Sequence, residues 1–223
     1  MANNNQKGTQ QEQVATTVSG VEEFFTKNQK WIEWALIALL VVIIGIFAIN
    51  RWVIAPARVE AQAQLYPAEQ AFRAGDFETA LAGDGNILGF NDVIANYGKK
   101  AGKAVYLYAG LSNLQLGNNQ EAIEQLKKYS TRDKILQGRA FCALGDAYSN
   151  LEDYATALSY YKKAAALEDN AYVPTYLLKA GIVSEEMGDT AAALKFYKEI
   201  EDKYPQTLEG FDIRKYISRI ENK

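Results

Sequence analysis

The sequence predicts an all-α protein, one transmembrane helix followed by a solenoid of helix hairpins. Three observations carry this expectation. Ala35 to Ile49 reads ALIALLVVIIGIFAI, fifteen residues without a charge. Beyond it, four stretches share one pattern of turn, helix start and alanine, and the alanines Ala80, Ala122, Ala157 and Ala193 are 42, 35 and 36 residues apart. The 223 residues are 48% hydrophobic and 23% charged, the make-up of a folding chain rather than a disordered one.

Residues 1–20 are rich in Asn and Gln and lack apolar periodicity, which predicts a disordered tail. Ser19 and Glu22 have capping-box spacing, and Val21, Phe24 and Phe25 share one helical face beside Lys27 and Lys30. Two readings of this face stay open: an interfacial turn leading into the membrane, or an extension of the spanning helix. Residues 21–54 together form the membrane-associated segment. Trp31 to Trp52 covers 21 helical rises, about 31 Å at about 1.5 Å per residue, which matches a hydrocarbon core of about 30 Å. Trp31, Trp34 and Trp52 stand at its ends, where indole rings favour the headgroup level. Arg51 and Glu33 lie near the same ends, within snorkelling reach of water. A buried core helix would rarely need so long an apolar run. Ala55-Pro56-Ala57 has the small-x-small form of a signal cleavage site, but a proline sits inside it and some thirty residues precede the run. An uncleaved anchor is the favoured reading. Lys27 and Lys30 before the span balance Arg51 and Arg58 after it, and only the distant Lys7 tips orientation toward a cytoplasmic N-terminus.

Residues 55–102 read as a linker helix and a degenerate first repeat with an insertion, residues 103–206 as three repeats, and residues 207–223 as a capping helix. The repeating stretches are GDFETAL (75–81), GNNQEAIEQL (117–126), EDYATALSYY (152–161) and GDTAAALKFY (188–197). Gly110, Gly145 and Gly181 each fall twelve residues before the alanine, and Leu126, Tyr161 and Tyr197 each fall four after it. Small residues at the crossings let two backbones approach while Leu and Tyr fill the space between pairs. In the first unit Pro67 should interrupt the leading helix, and Ala82-Gly83-Asp84-Gly85 should stop the second one early. The long 42-residue spacing predicts a short extra helix around DVIANY. Leu208, Ile213, Tyr216, Ile217 and Ile220 put an apolar stripe on a final helix, a cap that hides the last repeat's open face.

These residues carry a resemblance. Leu144-Gly145, Tyr148, Tyr154, Ala157, Tyr161 and Ala164 are similar to the consensus of the tetratricopeptide repeat, a helix–turn–helix of about 34 residues. Gly181, Gly188, Ala193, Tyr197 and Pro205 follow it in the next unit, and Gly110, Gly117, Ala122 and Leu126 in the one before. The whole layout resembles the YfgM-type ancillary subunits of the bacterial Sec translocon. Phe24-Phe25-Thr26-Lys27-Asn28-Gln29-Lys30, GFNDVIANYG (89–98) and Tyr106-Leu107-Tyr108-Ala109-Gly110 carry that similarity. It implies a single-pass protein of the bacterial inner membrane, with a cytoplasmic N-terminus and a periplasmic repeat domain working with the translocon, chaperones or exported polypeptides.

Composition narrows the chemistry. The chain has no histidine, which removes Ser-His-Asp and Cys-His catalysis and His-ligated zinc. The single cysteine, Cys142, allows neither an internal disulfide nor a Cys-rich metal site. A net charge of −3 lacks the basic footprint of a nucleic-acid binder. Glu152-Asp153 and Glu185-Glu186 are adjacent in sequence and do not face one another on a helix. No catalytic, cofactor-binding or metal site is expected, although an enzyme working through carboxylates alone stays open as a third reading.

What remains is binding. Repeats of this kind hold peptides or helices on a concave surface lined by the first helix of each pair. The register places Leu107, Leu111 and Leu114, then Arg139, Cys142, Asp146 and Ser149, then Leu178, Ile182 and Glu185 on that surface. The Lys and Asn that co-chaperones use to clamp a terminal carboxylate are absent there, so an apolar or amphipathic segment suits the groove better. The C-terminal helix or a second copy of the chain could also fill it. A membrane-tethered adaptor or chaperone-like scaffold is the leading expectation, and a structural oligomerisation module of an envelope complex is the alternative.

Overall fold

The computed structural model describes residues 5–222, with side chains from residue 26. Residues 1–4 and the side chains of Ser19, Val21, Glu22, Phe24 and Phe25 lie outside the described part, so the interfacial turn does too. The chain divides into two units, Met1–Pro56 and Ala57–Lys223, and among the described residues it is helical without strands.

In the first unit α1 (Asn5–Ile49) is followed by a π-helical turn, Asn50–Ile54. The helix starts at Asn5, so its backbone is regular over much of the stretch whose composition predicts a disordered tail. Once the apolar run has nucleated a helix, extending it backwards through Gln, Glu and Ala is far easier than starting one. At the π turn the Ala55 N–H donates to the Asn50 carbonyl, five residues back, just before Pro56, which has no N–H to give. One helix, within Thr26–Arg73, is long and apolar enough to cross a membrane, and its most apolar window is covered by no other part of the described chain.

The second unit is a stack of helix pairs. α2 (Ala55–Arg73) and α3 (Phe77–Ala82) share one core cluster and the Phe72–Phe77 ring contact as the first pair, α4 (Phe90–Tyr97) and a 3-10 turn (Gly98–Ala101) follow, and α5 (Ala104–Gln115) packs on α6 (Asn119–Leu126). Next come α7 (Lys134–Asn150) with α8 (Tyr154–Ala166), α9 (Val173–Glu186) with α10 (Thr190–Lys203), and finally α11 (Leu208–Glu221). Pro67 does not interrupt the leading helix, because α2 runs through it. The carbonyl that loses its partner belongs to Ala63, an exposed residue that water can reach. α4 is the short extra helix, and α3 stops at Gly83, which takes φ 74°.

The turn inside each pair is built the same way four times. The N–H of Asp76, Asn118, Asp153 and Asp189 reaches a carbonyl five residues back, and the N–H just before it reaches one three back. This is the Schellman closure, which needs a left-handed residue after the helix. Gly75, Gly117 and Gly188 supply it with φ of 82°, 79° and 78°, whereas Glu152 adopts φ 61°. The residue that ends each turn then opens the second helix. Asp76, Asp153 and Asp189 accept from the backbone N–H of Thr79, Thr156 and Ala192.

The core runs through the stack as connected clusters. Ala61, Leu65 and Ala68 of α2 meet Phe90 and Val93 of α4 and Val105 and Ala109 of α5. Leu126 then packs with Ala143, Leu144 and Ala147, Tyr161 with Tyr176 and Ala180, and Tyr197 with Ile213 and Ile217 of α11. Where the helices of a pair cross, a methyl group added at Gly145 would bring Cβ within 3.0 Å of three Tyr161 ring atoms, and one at Gly181 would do the same with Tyr197. Gly110 lies as close under Leu126.

Candidate functional site

The ten residues expected on the groove lie on the first helices of three pairs, α5, α7 and α9. The structure sorts them into three kinds. Leu107, Leu111 and Leu114 are half-buried and pack against the cluster of Ile123, Leu126 and Leu144, so much of each side chain belongs to the α5–α7 seam. Leu178 is likewise half-buried beside the α9–α11 cluster. Arg139 is exposed, its guanidinium 5.3 Å from the centre of the Tyr172 ring. Cys142 is buried, and burial first, then the nearby Asp146 charge, pushes its thiol up to about 12. A thiol held so far above its usual range stays protonated and packs as a small apolar group.

The carboxylates form rungs. Asp146 accepts the Tyr161 hydroxyl at 2.8 Å and meets Lys179 Nζ of the next pair at 2.5 Å. Glu185 repeats this one unit later, accepting the Tyr197 hydroxyl at 2.7 Å and the Arg219 guanidinium of α11 at 2.6 Å. Each tyrosine ring therefore fills a pair's crossing while its hydroxyl ties down a carboxylate that a cation from the following element neutralises. Burial and the adjacent carboxylate both push these phenols above their ordinary range. Ser149 is half-buried on the same helix as Asp146.

Sequence reasoning named Asp146 and Glu185 but missed Lys179 and Arg219. A signal for both was present: the cations lie 33 and 34 residues after their carboxylates, one repeat on. It also missed Tyr216, which with Ile182, Glu185, Glu186 and Arg219 lines an open hollow of about 400 Å³. The structure thus brings Ile182 and Glu185 together at one hollow and leaves the three α5 leucines in a separate seam. Among the described residues no group of three or more His, Cys, Asp or Glu could hold a metal ion.

Comparison with known proteins agrees with this geometry. Residues 138–170 and 175–207 each match a tetratricopeptide repeat model, covering α7–α8 and α9–α10. Two crystal structures of MamA share the fold. One aligns at a TM-score of 0.58 and 19% identity over 75% of this chain and 84% of that one, the other at 0.56 and 21% over 70% and 84%. No curated protein matches the chain in sequence. Repeat models, solved folds and the four identical turns converge: the fold is an all-α tetratricopeptide solenoid, preceded by one helix long and apolar enough to cross a membrane.

Proposed function

We propose that the chain is a membrane-anchored scaffold that binds protein segments non-covalently, in a chaperone-like role beside the bacterial export machinery, with its repeats in the periplasm. The observation that carries the reading is the stack itself, which presents an open hollow between Ile182 and Glu185 of α9 and Arg219 of α11. Glu185 and Arg219 there already hold one another, so a bound segment covers the Ile182 side chain and the Tyr216 ring and meets the Glu186 carboxylate with polar groups of its own. An uncleaved anchor is supported by the uncovered apolar helix and by Trp31, Trp34 and Trp52, which are 75%, 71% and 76% exposed. Tethering would raise the effective concentration near membrane partners.

The test has two arms. Protease accessibility in intact and opened cells reads the side of the repeats, and capture of translocon or chaperone subunits by the full chain, but not by a chain cut at residue 57, reads the role. Repeats digested from the cytoplasmic side, or no such subunit enriched, would overturn it. The oligomerisation reading draws support from Leu208 and Phe211, 84% and 69% exposed at the start of α11. Replacing both by Ser should abolish self-association under that reading and leave partner capture intact under the first.

A further inference from the structure

The second helices of the pairs carry a surface that the groove does not use. On α8 the residues Ala155, Leu158, Ser159, Lys162, Lys163 and Ala166 recur at helical spacing and line an open trough of about 480 Å³. All but Leu158 are exposed. Between Tyr154 and Leu167 this helix has no acidic residue at all. Small side chains at Ala155, Ser159 and Ala166 would let the axis of a second helix come near the lower end of the usual 8–10 Å spacing.

The charge beside this trough is held in place. Lys163 Nζ stands 4.8 Å over the Tyr160 ring, Tyr160 stacks on Tyr148 with centroids 5.5 Å apart and planes 10° apart, and Lys127 Nζ stands 5.4 Å over Tyr148. Two ammonium groups, one at the C-cap of α6 and one on α8, thus bracket one aromatic stack, which orients them without neutralising them. Lys162 adds a third charge on the trough itself. The neighbouring second helices carry acids, Glu121 and Glu124 on α6 and Glu199 and Asp202 on α10. On α10 these acids stand among Lys195, Lys198 and Lys203, so α8 is the second helix whose charge is positive without an interspersed acid. A flat anionic membrane would also meet those flanking carboxylates, whereas a single helix would not.

We infer that the outer face of α8 is a docking site for an acidic amphipathic helix of a protein partner. Its small apolar residues would lie on Ala155, Leu158 and Ala166, and its carboxylates would face Lys162 and Lys163. The argument is independent of the first-helix groove. Charge complementarity of this kind sets which helix is accepted and how fast it arrives.

The test uses the full chain in phosphatidylcholine nanodiscs and two labelled synthetic helical peptides with the same Leu/Ala face, one flanked by Glu and one by Lys. Fluorescence anisotropy should show the Glu peptide bound and the Lys peptide not. Exchanging both charges with Lys162→Glu and Lys163→Glu should weaken the Glu peptide at least tenfold and admit the Lys peptide. Lys195→Glu, on α10, should change neither, and melting temperature should stay constant across the variants. Equal binding of both peptides, no binding of the Glu peptide, or an equal loss with Lys195→Glu would overturn the assignment. So would a chain that ignores the peptides yet binds phosphatidylglycerol vesicles through Lys162 and Lys163.

Discussion

Lys179 on α9 reaches back to Asp146 on α7, Nζ to Oδ1 at 2.5 Å, and the same carboxylate oxygen accepts the Tyr161 hydroxyl. Both charged side chains are about one-third exposed, so the pair is sheltered from water without being fully desolvated. It links two repeats that also meet through apolar contact and through Arg139 over the Tyr172 ring. A double-mutant cycle with Asp146→Asn and Lys179→Met should return a coupling of about 1 kcal/mol in denaturant unfolding. A coupling near zero would reduce the rung to a surface pair.

The closest crossings set the stack. Gly145→Val and Gly181→Val would drive branched side chains into Tyr161 and Tyr197, rings that are 2% and 0% exposed and cannot swing away. Each should cost about 3 kcal/mol or more, at the upper end of overpacking penalties. An unchanged thermal midpoint in either variant would contradict the packing.

Glu152 is the one turn residue that adopts a left-handed conformation with a side chain, among the described residues. Glu152→Gly should raise stability by up to about 1 kcal/mol, since glycine relieves the strain but also gains freedom in the unfolded chain. Asp153→Ala, one position on, should cost about 1 kcal/mol by removing the cap on Thr156 N–H. The two shifts have opposite signs in one urea titration.

Two tyrosines on the stack should respond oppositely to loss of the hydroxyl. Tyr161→Phe leaves Asp146 short of a donor and should destabilise by about 1 kcal/mol. Among the described residues the buried Tyr176 hydroxyl has no hydrogen-bond partner, so Tyr176→Phe should be neutral or stabilising by up to about 1 kcal/mol. Paired chemical denaturation curves read the difference.

Alkaline pH should unfold the repeats. Burial pushes Cys142 from 9.0, and Tyr176 from 10.0, up to about 12. The folded state therefore holds protons that the unfolded chain has already released. Stability is fully present below the unfolded values and declines as pH rises from about 9 to about 12. Cys142→Ala should flatten the lower part of that decline. At neutral pH iodoacetamide should label Cys142 only after unfolding.

The sequence determined most of what is local and repetitive. An uncharged apolar run, a turn residue followed by Asp or Asn, and Gly, Ala and Tyr at fixed offsets specify helices, turns and crossings, because each depends on neighbours within one hairpin. The short α4 was legible for the same reason, since Gly89 and Gly98 bound a brief periodic segment. Pro67 was misleading because whether a helix tolerates a proline depends on whether water reaches the orphaned carbonyl. Tertiary structure alone decided which of the expected groove positions stay open. Leu107 and Leu111 sink into the α5–α7 seam, while Ile182 and Glu185 face a hollow that Tyr216 and Arg219 complete from α11. It also decided that Asp146 and Glu185 are bridged and that Lys127 and Lys163 bracket an aromatic stack. Pattern within a segment fixes which face turns inward. Contact between segments a repeat or more apart fixes which charges are bridged.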